Sequence, residues 1–225
     1  MAESTETQLD ALREQMVEQV ALHATVTGEQ TGRELLDDRV LAAMQQVPRH
    51  SFVPSALKLL AYIDSPLPIG YGKTISQPFI VALMLDLLQP QPDDRVLEVG
   101  TGLGYQAAIL AELVATVYSV EIIEELAREA ANRVGERGYA NIELRTGDGG
   151  QGWPEHAPFD KIIVAAAPEL MPPPLLNQLK PGGRMVIPAG IPDRQQLMLV
   201  EKDIEGRYNT TEVLPVRFAP LVTAH

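Results

Sequence analysis

The segment Arg95-Val-Leu-Glu-Val-Gly-Thr-Gly-Leu-Gly104 carries the clearest indication of the fold. Its first half is a short apolar run ended by glycine, which predicts a buried β-strand. Gly100, Gly102 and Gly104 then allow a sharp turn into a helix and let a ligand approach the bare backbone. Strand, glycine loop and helix in this order predict a ligand-binding βαβ unit.

The spacing of the glycines argues against a dinucleotide site. The dinucleotide fingerprint is Gly-x-Gly-x-x-Gly, and Tyr105 occupies the position of its last glycine. Glu98, at the start of the loop, would repel a phosphate and attract a cation. An NAD-dependent oxidoreductase is therefore the least favoured of the enzyme classes considered.

The sequence on either side of this loop alternates between predicted strands and helices. A helix begins at Pro78, and apolar strands are predicted at 95–100, 117–121, 142–146, 161–167 and 184–190. Such alternation implies right-handed crossovers and a doubly wound, mainly parallel sheet. Two closing segments, 195–202 and 211–221, follow each other too closely for a crossover and predict antiparallel strands. We expect a Rossmann-like α/β fold.

The N-terminal third predicts helices and a long loop. Apolar residues spaced by three and four predict a helix at 7–22, and a second one is expected at 34–46. The Pro, Gly and Ser content of 48–77 predicts mostly loop and short turns. We expect 1–77 to hold N-terminal helices and a substrate loop, packed on a core at 78–225 within one structural domain.

Composition narrows the class of protein. The net charge of −12, without a basic run, disfavours nucleic acid as a substrate. The chain has no cysteine and no apolar run of about 18 residues, and it begins without a basic leader. We expect a cytoplasmic monomer that binds no membrane. The histidines lack metal-ligand spacing, so no metal is expected.

Two further acids follow the next two strands. Glu121 closes the second strand, about 20 residues past the first glycine, where a carboxylate can accept hydrogen bonds from ribose hydroxyls. Asp148 follows the third strand and would lie over a bound adenine. Parallel strands end at one edge of a sheet, so we expect Glu98, Glu121 and Asp148 to converge there.

These motifs resemble a known family. The glycine loop, Glu121, the Gly-Asp-Gly turn at 147–149 and the Pro-Gly-Gly turn at 181–183 resemble class I S-adenosylmethionine-dependent methyltransferases. More narrowly, the chain resembles the protein-L-isoaspartate O-methyltransferases, most specifically in Thr74-Ile-Ser-Gln-Pro78 and in 147–154. The resemblance also rests on the blocks VPRHSFVP, YGKTISQPFIVALM, LKPGGRMVIPAG and RFAPL. The stretch around 25–33 does not match.

The resemblance implies an activity and a set of site residues. The family transfers a methyl group from S-adenosylmethionine to the free carboxylate of isoaspartyl residues in damaged proteins and peptides, which initiates repair through a succinimide. S-adenosylhomocysteine is the product. The resemblance places the cofactor on Glu98, Gly100, Thr101, Gly102, Gly104, Glu121, Ile122, Asp148 and Gly149, and the substrate beside the active-site serine Ser76 with Thr74, Ile75 and Gln77.

Several alternatives stay open from the sequence. Ser76 could instead cap the helix that begins at Pro78, because serine is preferred there. Arg49 and Asp64 could form a buried salt bridge or gate the substrate. The acceptor could be an ordinary aspartate in one dedicated partner peptide of a tailoring pathway. A binding module for S-adenosylmethionine without catalysis is a further alternative.

Overall fold

The computed structural model describes residues 2–223, with side chains from residue 6 onward. Residues 1, 224 and 225, which belong to the predicted ranges 1–77 and 78–225, lie outside the described residues. The helices are α1 (Ala2–Thr31), α2 (Asp38–Gln46), α3 (Pro78–Leu88), α4 (Tyr105–Ala111), α5 (Glu124–Glu136) and α6 (Pro173–Gln178). The strands are β1 (Leu67–Gly70), β2 (Lys73–Ile75), β3 (Arg95–Val99), β4 (Thr116–Glu121), β5 (Ile142–Thr146), β6 (Phe159–Val164), β7 (Leu179–Ile191), β8 (Arg194–Lys202) and β9 (Tyr208–Val216).

The main sheet has seven strands in the order β5-β4-β3-β6-β7-β8-β9. The first five are parallel, and β8 and β9 continue the sheet by antiparallel pairing. This confirms the predicted doubly wound, mainly parallel sheet with antiparallel strands near the C-terminus. The strand order reverses between β3 and β6, and open α/β sheets bind ligands at such a switch point. The glycine loop follows β3 directly.

The N-terminal helix is longer than predicted. The prediction of a helix at 7–22 is wrong in extent, because α1 continues to Thr31. Its last turns bury Ala24 and are followed by Gly32 with a φ of +67°. A left-handed glycine after the last turn is a common helix stop. The stretch around 25–33, unmatched by the family blocks, is thus mainly the end of α1.

The segment between α1 and α3 is more regular than predicted. The helix expected at 34–46 begins only at Asp38, because the Asp37 side chain accepts a hydrogen bond from the Arg39 N–H and caps it. The stretch expected to be mostly loop contains two 3₁₀ turns, Arg49–Phe52 and Ser55–Leu60, and a β1-β2 hairpin. This part of the chain therefore offers fixed positions for side chains.

The last predicted strand is too long. The predicted strand runs to residue 221, but β9 ends at Val216, because the backbone of Phe218 forms hydrogen bonds with the buried Gln195 side chain. The Gln195 amide donates to the Phe218 carbonyl at 3.1 Å and accepts from the Phe218 N–H at 2.6 Å. The chain then pairs with Ala167 through residues 219–221. The segment after β9 is thereby led back over the end of β6.

One continuous apolar core joins α1, α2, α3 and α4 to one face of the sheet. A second core lies on the other face, beneath α6. Among the described residues, no helix has the length and apolarity needed to cross a lipid bilayer.

Candidate active site

A cavity of about 550 Å³ lies at the carboxyl ends of β3 and β4. This volume is within the range of sites that hold small molecules. One side, the glycine-loop side, is formed by residues 100–102, Glu121, Ile122 and Gly149. A second part of the lining, the Ser76 side, is formed by residues 73–77. Every described residue of the predicted site lines the cavity except Glu98, Gly104 and Asp148.

The glycines of the loop have different structural tasks. Gly100 and Gly102 have φ values of +92° and +58° and expose backbone to the cavity. Gly104, with a φ of +93°, faces the protein interior, where an added Cβ would lie 3.1 Å from Val134. The first two glycines suit contact with a ligand, and Gly104 suits the packing of the loop on α5.

Glu121 is fixed by the loop it faces. One carboxylate oxygen accepts a hydrogen bond from the Gly102 N–H at 2.8 Å, and the other accepts from the Ile123 N–H at 3.0 Å. A carboxylate has about four lone-pair positions, so both oxygens can accept further hydrogen bonds. Because the side chain is only 6% exposed, those further bonds point to a bound ligand rather than bulk water.

Glu98 lies beneath the loop rather than at the cavity surface. The parallel register places it beside Ser119, whose hydroxyl donates to Glu98 at 2.5 Å, and Thr101 bonds Ser119 at 2.6 Å. Complete burial raises the pKa of Glu98 to about 8, although the Ser119 hydrogen bond opposes this rise. The expectation that Glu98 attracts a cation from the start of the loop is not met, because an interior carboxyl holds its proton at neutral pH.

The turn after β5 contributes backbone to the cavity. Asp148 accepts a hydrogen bond from the Gly150 N–H at 2.8 Å and caps the 3₁₀ turn Gly149–Gln151. Gly149 lines the cavity, and an added Cβ there would collide with Val99. Glycine is thus required at 149 for the turn to approach β3.

Ser76 lies in the cavity wall and does not cap α3. The residue before the helix is Gln77, which makes no capping hydrogen bond with its side chain. The Phe79 N–H in the first turn instead donates to Asp64 at 2.8 Å. The capping alternative for Ser76 is therefore wrong, and its hydroxyl is left to serve the cavity.

Arg49 holds the loop that contains Ser76. Its guanidinium is fully buried, donates to the Ala61 carbonyl at 2.8 Å and to the Ser76 carbonyl at 2.7 Å, and lies 4.8 Å from the centre of the Tyr105 ring. Only a planar group with several donors can bridge two carbonyls in this way. Arg49 is therefore a positioning residue for the loop and does not gate the cavity.

Asp64 holds the same loop from its other end. Besides the Phe79 N–H, it accepts a hydrogen bond from the Gln77 side chain at 3.1 Å and lies 2.9 Å from Nδ1 of His23. Its side chain is 5% exposed. The sequence left open whether Asp64 forms a salt bridge with Arg49 or gates the substrate. Its contacts give it a different role, because Asp64 caps α3 and connects it to α1.

The charges around the cavity are divided between its two sides. Among the described residues that line it, Glu121 is the carboxylate, while Lys73 and Arg217 are the cations. The acid belongs to the glycine-loop side, and Lys73 belongs to the Ser76 side. Although the whole chain carries a charge of −12, the Ser76 side favours an anionic ligand.

Several lining residues were missed by the sequence analysis. His23, Thr27 and Gln30 of α1 and residues 214–222 after and within the end of β9 all border the cavity. The α1 residues carry none of the motifs identified in the sequence, and Thr27 and Gln30 lie in the stretch around 25–33 that does not match the family blocks. The terminal RFAPL block, residues 217–221, belongs to the family resemblance, so it could have indicated that this segment borders the site.

Comparison with known proteins identifies the family that uses this geometry. The family described as protein-L-isoaspartate(D-aspartate) O-methyltransferase matches residues 22–225. The chain belongs to this family. Protein-L-isoaspartate O-methyltransferase 1 of Polaromonas sp. is 56% identical over 98% of this chain and 93% of its own length. Protein-L-isoaspartate O-methyltransferase 2 of Syntrophobacter fumaroxidans is 59% identical over 96% of this chain and 87% of its own length.

Solved structures agree with the fold. A protein-L-isoaspartate O-methyltransferase structure superimposes with a TM-score of 0.78 at 28% identity, over 92% of this chain and 65% of that chain. This chain therefore spans slightly less than two thirds of that solved chain. A candidate family member from Plasmodium falciparum, in complex with S-adenosyl-L-homocysteine, has a TM-score of 0.77 at 23% identity over 96% of this chain and 98% of its own. The second similarity supports the fold alone.

Proposed function

We propose that the chain is a protein-L-isoaspartate O-methyltransferase, which transfers a methyl group from S-adenosylmethionine to the free carboxylate of isoaspartyl residues in proteins and peptides. The observation that carries the proposal is the divided cavity. An acid and bare backbone lie on one side, and Ser76 and a cation lie on the other. A positively charged donor and an anionic acceptor suit these two sides.

The glycine-loop side fits S-adenosylmethionine. Glu121 is held by two backbone N–H groups and keeps lone pairs for hydroxyl groups of a ribose. Gly100 and Gly102 leave room along the backbone for the remainder of the ligand, and Ile122 and Gly149 supply apolar and backbone surface. The donor supplies an activated methyl group on sulfur, and S-adenosylhomocysteine is the product.

Glu98, Gly104 and Asp148 act from outside the cavity in this proposal. Glu98 supports the loop from below, because Ser119 connects it to Thr101, which lines the cavity. Gly104 fixes the loop against α5. Asp148 orients the turn that presents Gly149. The described residues contain no cluster of three or more metal-ligating side chains, and the reaction is proposed without a metal.

The Ser76 side fits the acceptor. The Ser76 hydroxyl and the backbone of Thr74, Ile75 and Gln77 can donate hydrogen bonds to the isoaspartyl carboxylate, and Lys73 adds positive charge nearby. An ionised carboxylate is already a nucleophile at neutral pH, so the chain needs no general base. Its residues orient the two reactants and exclude water, which together can contribute several kcal/mol, on the order of the proximity effect in other enzymes.

The net charge of the chain also bears on its partners. The charge of −12 opposes binding to nucleic acid and to anionic membranes. We propose a cytoplasmic monomer whose macromolecular partners are its isoaspartyl substrates.

Paired peptides test the proposed acceptor. Two peptides of one sequence, with isoaspartate or aspartate at one position, are incubated with the protein and radiolabelled S-adenosylmethionine, and base-labile methyl esters are counted. We expect labelling of the isoaspartyl peptide only. Preference for the aspartyl peptide would favour the tailoring alternative, which no relative reported above supports. Binding of the donor without labelling of either peptide would favour the non-catalytic module.

A further inference from the structure

One face of α1 borders the cavity and lies outside the sequence blocks on which the family resemblance rests. His23, Thr27 and Gln30 are spaced by four and three residues, so they lie on the same face of the helix. All three line the cavity. The neighbouring face, which includes Val20 and Ala24, is buried in the core and fixes α1 in place.

Contacts of His23 place this face on the Ser76 side of the cavity. The imidazole stacks on the Phe79 ring with 3.9 Å between centroids and an angle of 14°. Its Nδ1 lies 2.9 Å from Asp64, the residue that also holds the Gln77 side chain and the start of α3. His23 thus shares Asp64 with Gln77, the neighbour of Ser76, and packs on the first turn of α3.

The end of β9 and the segment after it lie beside α1 in the cavity wall. α1 approaches β9, and Val216, Arg217 and Phe218 line the same cavity. The Ser76 side is therefore bounded by α1, by this segment and by Lys73. A polypeptide whose acceptor group lies at Ser76 would have His23 and Thr27 nearby, because all three residues line the same cavity.

We propose that the face formed by His23, Thr27 and Gln30 binds the substrate main chain beside the isoaspartyl residue, and that His23 is a specificity-determining residue. The inference rests on the proposed function. Asp64 occupies Nδ1 and Phe79 covers one ring face, while the His23 side chain keeps 36% of its surface exposed. Nε2 and the Gln30 amide can then bond to peptide N–H and C=O groups.

Two threonines of α1 provide a matched test of the wall. Each hydroxyl donates to the carbonyl four residues earlier, Thr25 to Ala21 at 3.3 Å and Thr27 to His23 at 2.8 Å, but only Thr27 lines the cavity. With a long isoaspartyl peptide we expect Thr27→Leu to raise KM about fivefold or more, because the added bulk narrows the cavity. Thr25→Leu is expected to leave KM within twofold. Equal KM values for the two variants would overturn the proposal.

His23→Gln tests the contact to the flanking main chain. Glutamine can still donate to Asp64 but lacks the second ring nitrogen. We expect the KM of a long peptide to rise about fivefold, the KM of a minimal isoaspartyl tripeptide to change less than twofold, and the Kd of S-adenosylmethionine to stay constant. A parallel change for both peptides, or a matching loss of donor affinity, would assign His23 a structural role and refute the proposal.

Assays of the wild-type protein distinguish a failure of the proposed function from a failure of this inference. If it does not methylate isoaspartyl peptides at all, the proposed function is wrong, and this inference is refuted with it. If it methylates them and the α1 variants behave as wild type, only the inference is wrong.

Discussion

The two sides of the cavity are built in different ways. On the glycine-loop side, the groups that hold Glu121 are the backbone N–H groups of Gly102 and Ile123. Gly102 is close to Glu121 because β3 and β4 are paired, and Ile123 is close because it follows Glu121 by two residues. On the Ser76 side, Arg49 and Asp64 hold the loop through side-chain hydrogen bonds that cross up to 27 residues of sequence. Backbone contacts persist after most substitutions, whereas side-chain contacts disappear with one.

This difference predicts where distant substitutions act. A change outside the cavity can disturb the Ser76 side, because its supports are single side chains. The glycine-loop side should respond mainly to changes in residues that touch the ligand.

Arg49→Met should have the largest effect. It leaves the Ala61 and Ser76 carbonyls buried without a donor, so we expect the free energy of unfolding to fall by about 3 kcal/mol and methyl transfer to be lost. Urea denaturation and the radiolabel assay measure the two effects. Arg49→Lys keeps the charge but cannot bridge both carbonyls, and should fold with kcat at least tenfold lower. Wild-type kcat in the lysine variant would refute the positioning role.

Glu121→Ala should come next and should act on the donor. It removes the acceptor proposed for the ribose, and two charge-assisted hydrogen bonds are worth about 3 kcal/mol or more, so we expect the Kd of S-adenosylmethionine to rise about 100-fold. Isothermal titration calorimetry measures this Kd. Glu121→Gln, which retains an acceptor oxygen, should lie between the variant and the wild type. An unchanged Kd in both would remove Glu121 from the donor site.

Ser76→Ala should have a smaller effect, confined to the Ser76 side. We expect kcat for an isoaspartyl peptide to fall about 10- to 30-fold, which corresponds to about 1.5 to 2 kcal/mol, the lower part of the usual range for one hydrogen bond to a charged group. The Kd of S-adenosylmethionine should stay within a few fold. The melting temperature should not change, since Ser76 caps no helix. A clear fall in melting temperature with normal kcat would restore a structural role for Ser76.

Glu98→Gln should have the smallest effect on methyl transfer, and its main effect should be a change in the pH dependence of stability. Burial raises the pKa of Glu98 from 4.5 to about 8, so the folded protein keeps a proton that the unfolded chain releases as the pH rises from 4.5. The stability that this proton contributes is fully present below pH 4.5 and is lost as the pH passes through about 8.

Glutamine does not titrate, so the variant should lose less stability than the wild type between pH 5 and pH 8. A pKa raised from 4.5 to about 8 corresponds to a difference of several kcal/mol over this range, at about 1.4 kcal/mol per pH unit, and each kcal/mol corresponds to about 2–4 °C in melting temperature for a chain of this size. Thermal melts at both pH values, with Asp203→Asn as a surface control, test it. Parallel pH profiles for wild type and Glu98→Gln would show that Glu98 is ionised in the folded state.

Local motifs were sufficient to predict the sheet and one side of the cavity. The alternation of strands and helices predicted that the strands are mainly parallel, since right-handed crossover connections join them. Glu121 could be placed because it ends the strand after the glycine loop, and strand ends share an edge. Glu98 was misjudged because the sequence does not reveal that the register sets it against Ser119 inside the sheet.

The fold, the family resemblance and the residues proposed for the donor follow from local sequence, because they depend on spacing within contiguous segments and on backbone that glycine leaves bare. The supports of Ser76 and the residues that border its side of the cavity depend on how distant segments pack together. Arg49, Asp64 and the α1 face with His23 and Thr27 reach that side from separate segments. Their convergence follows from how α1 packs beside α3 and β9, and no local pattern encodes the relative placement of packed elements.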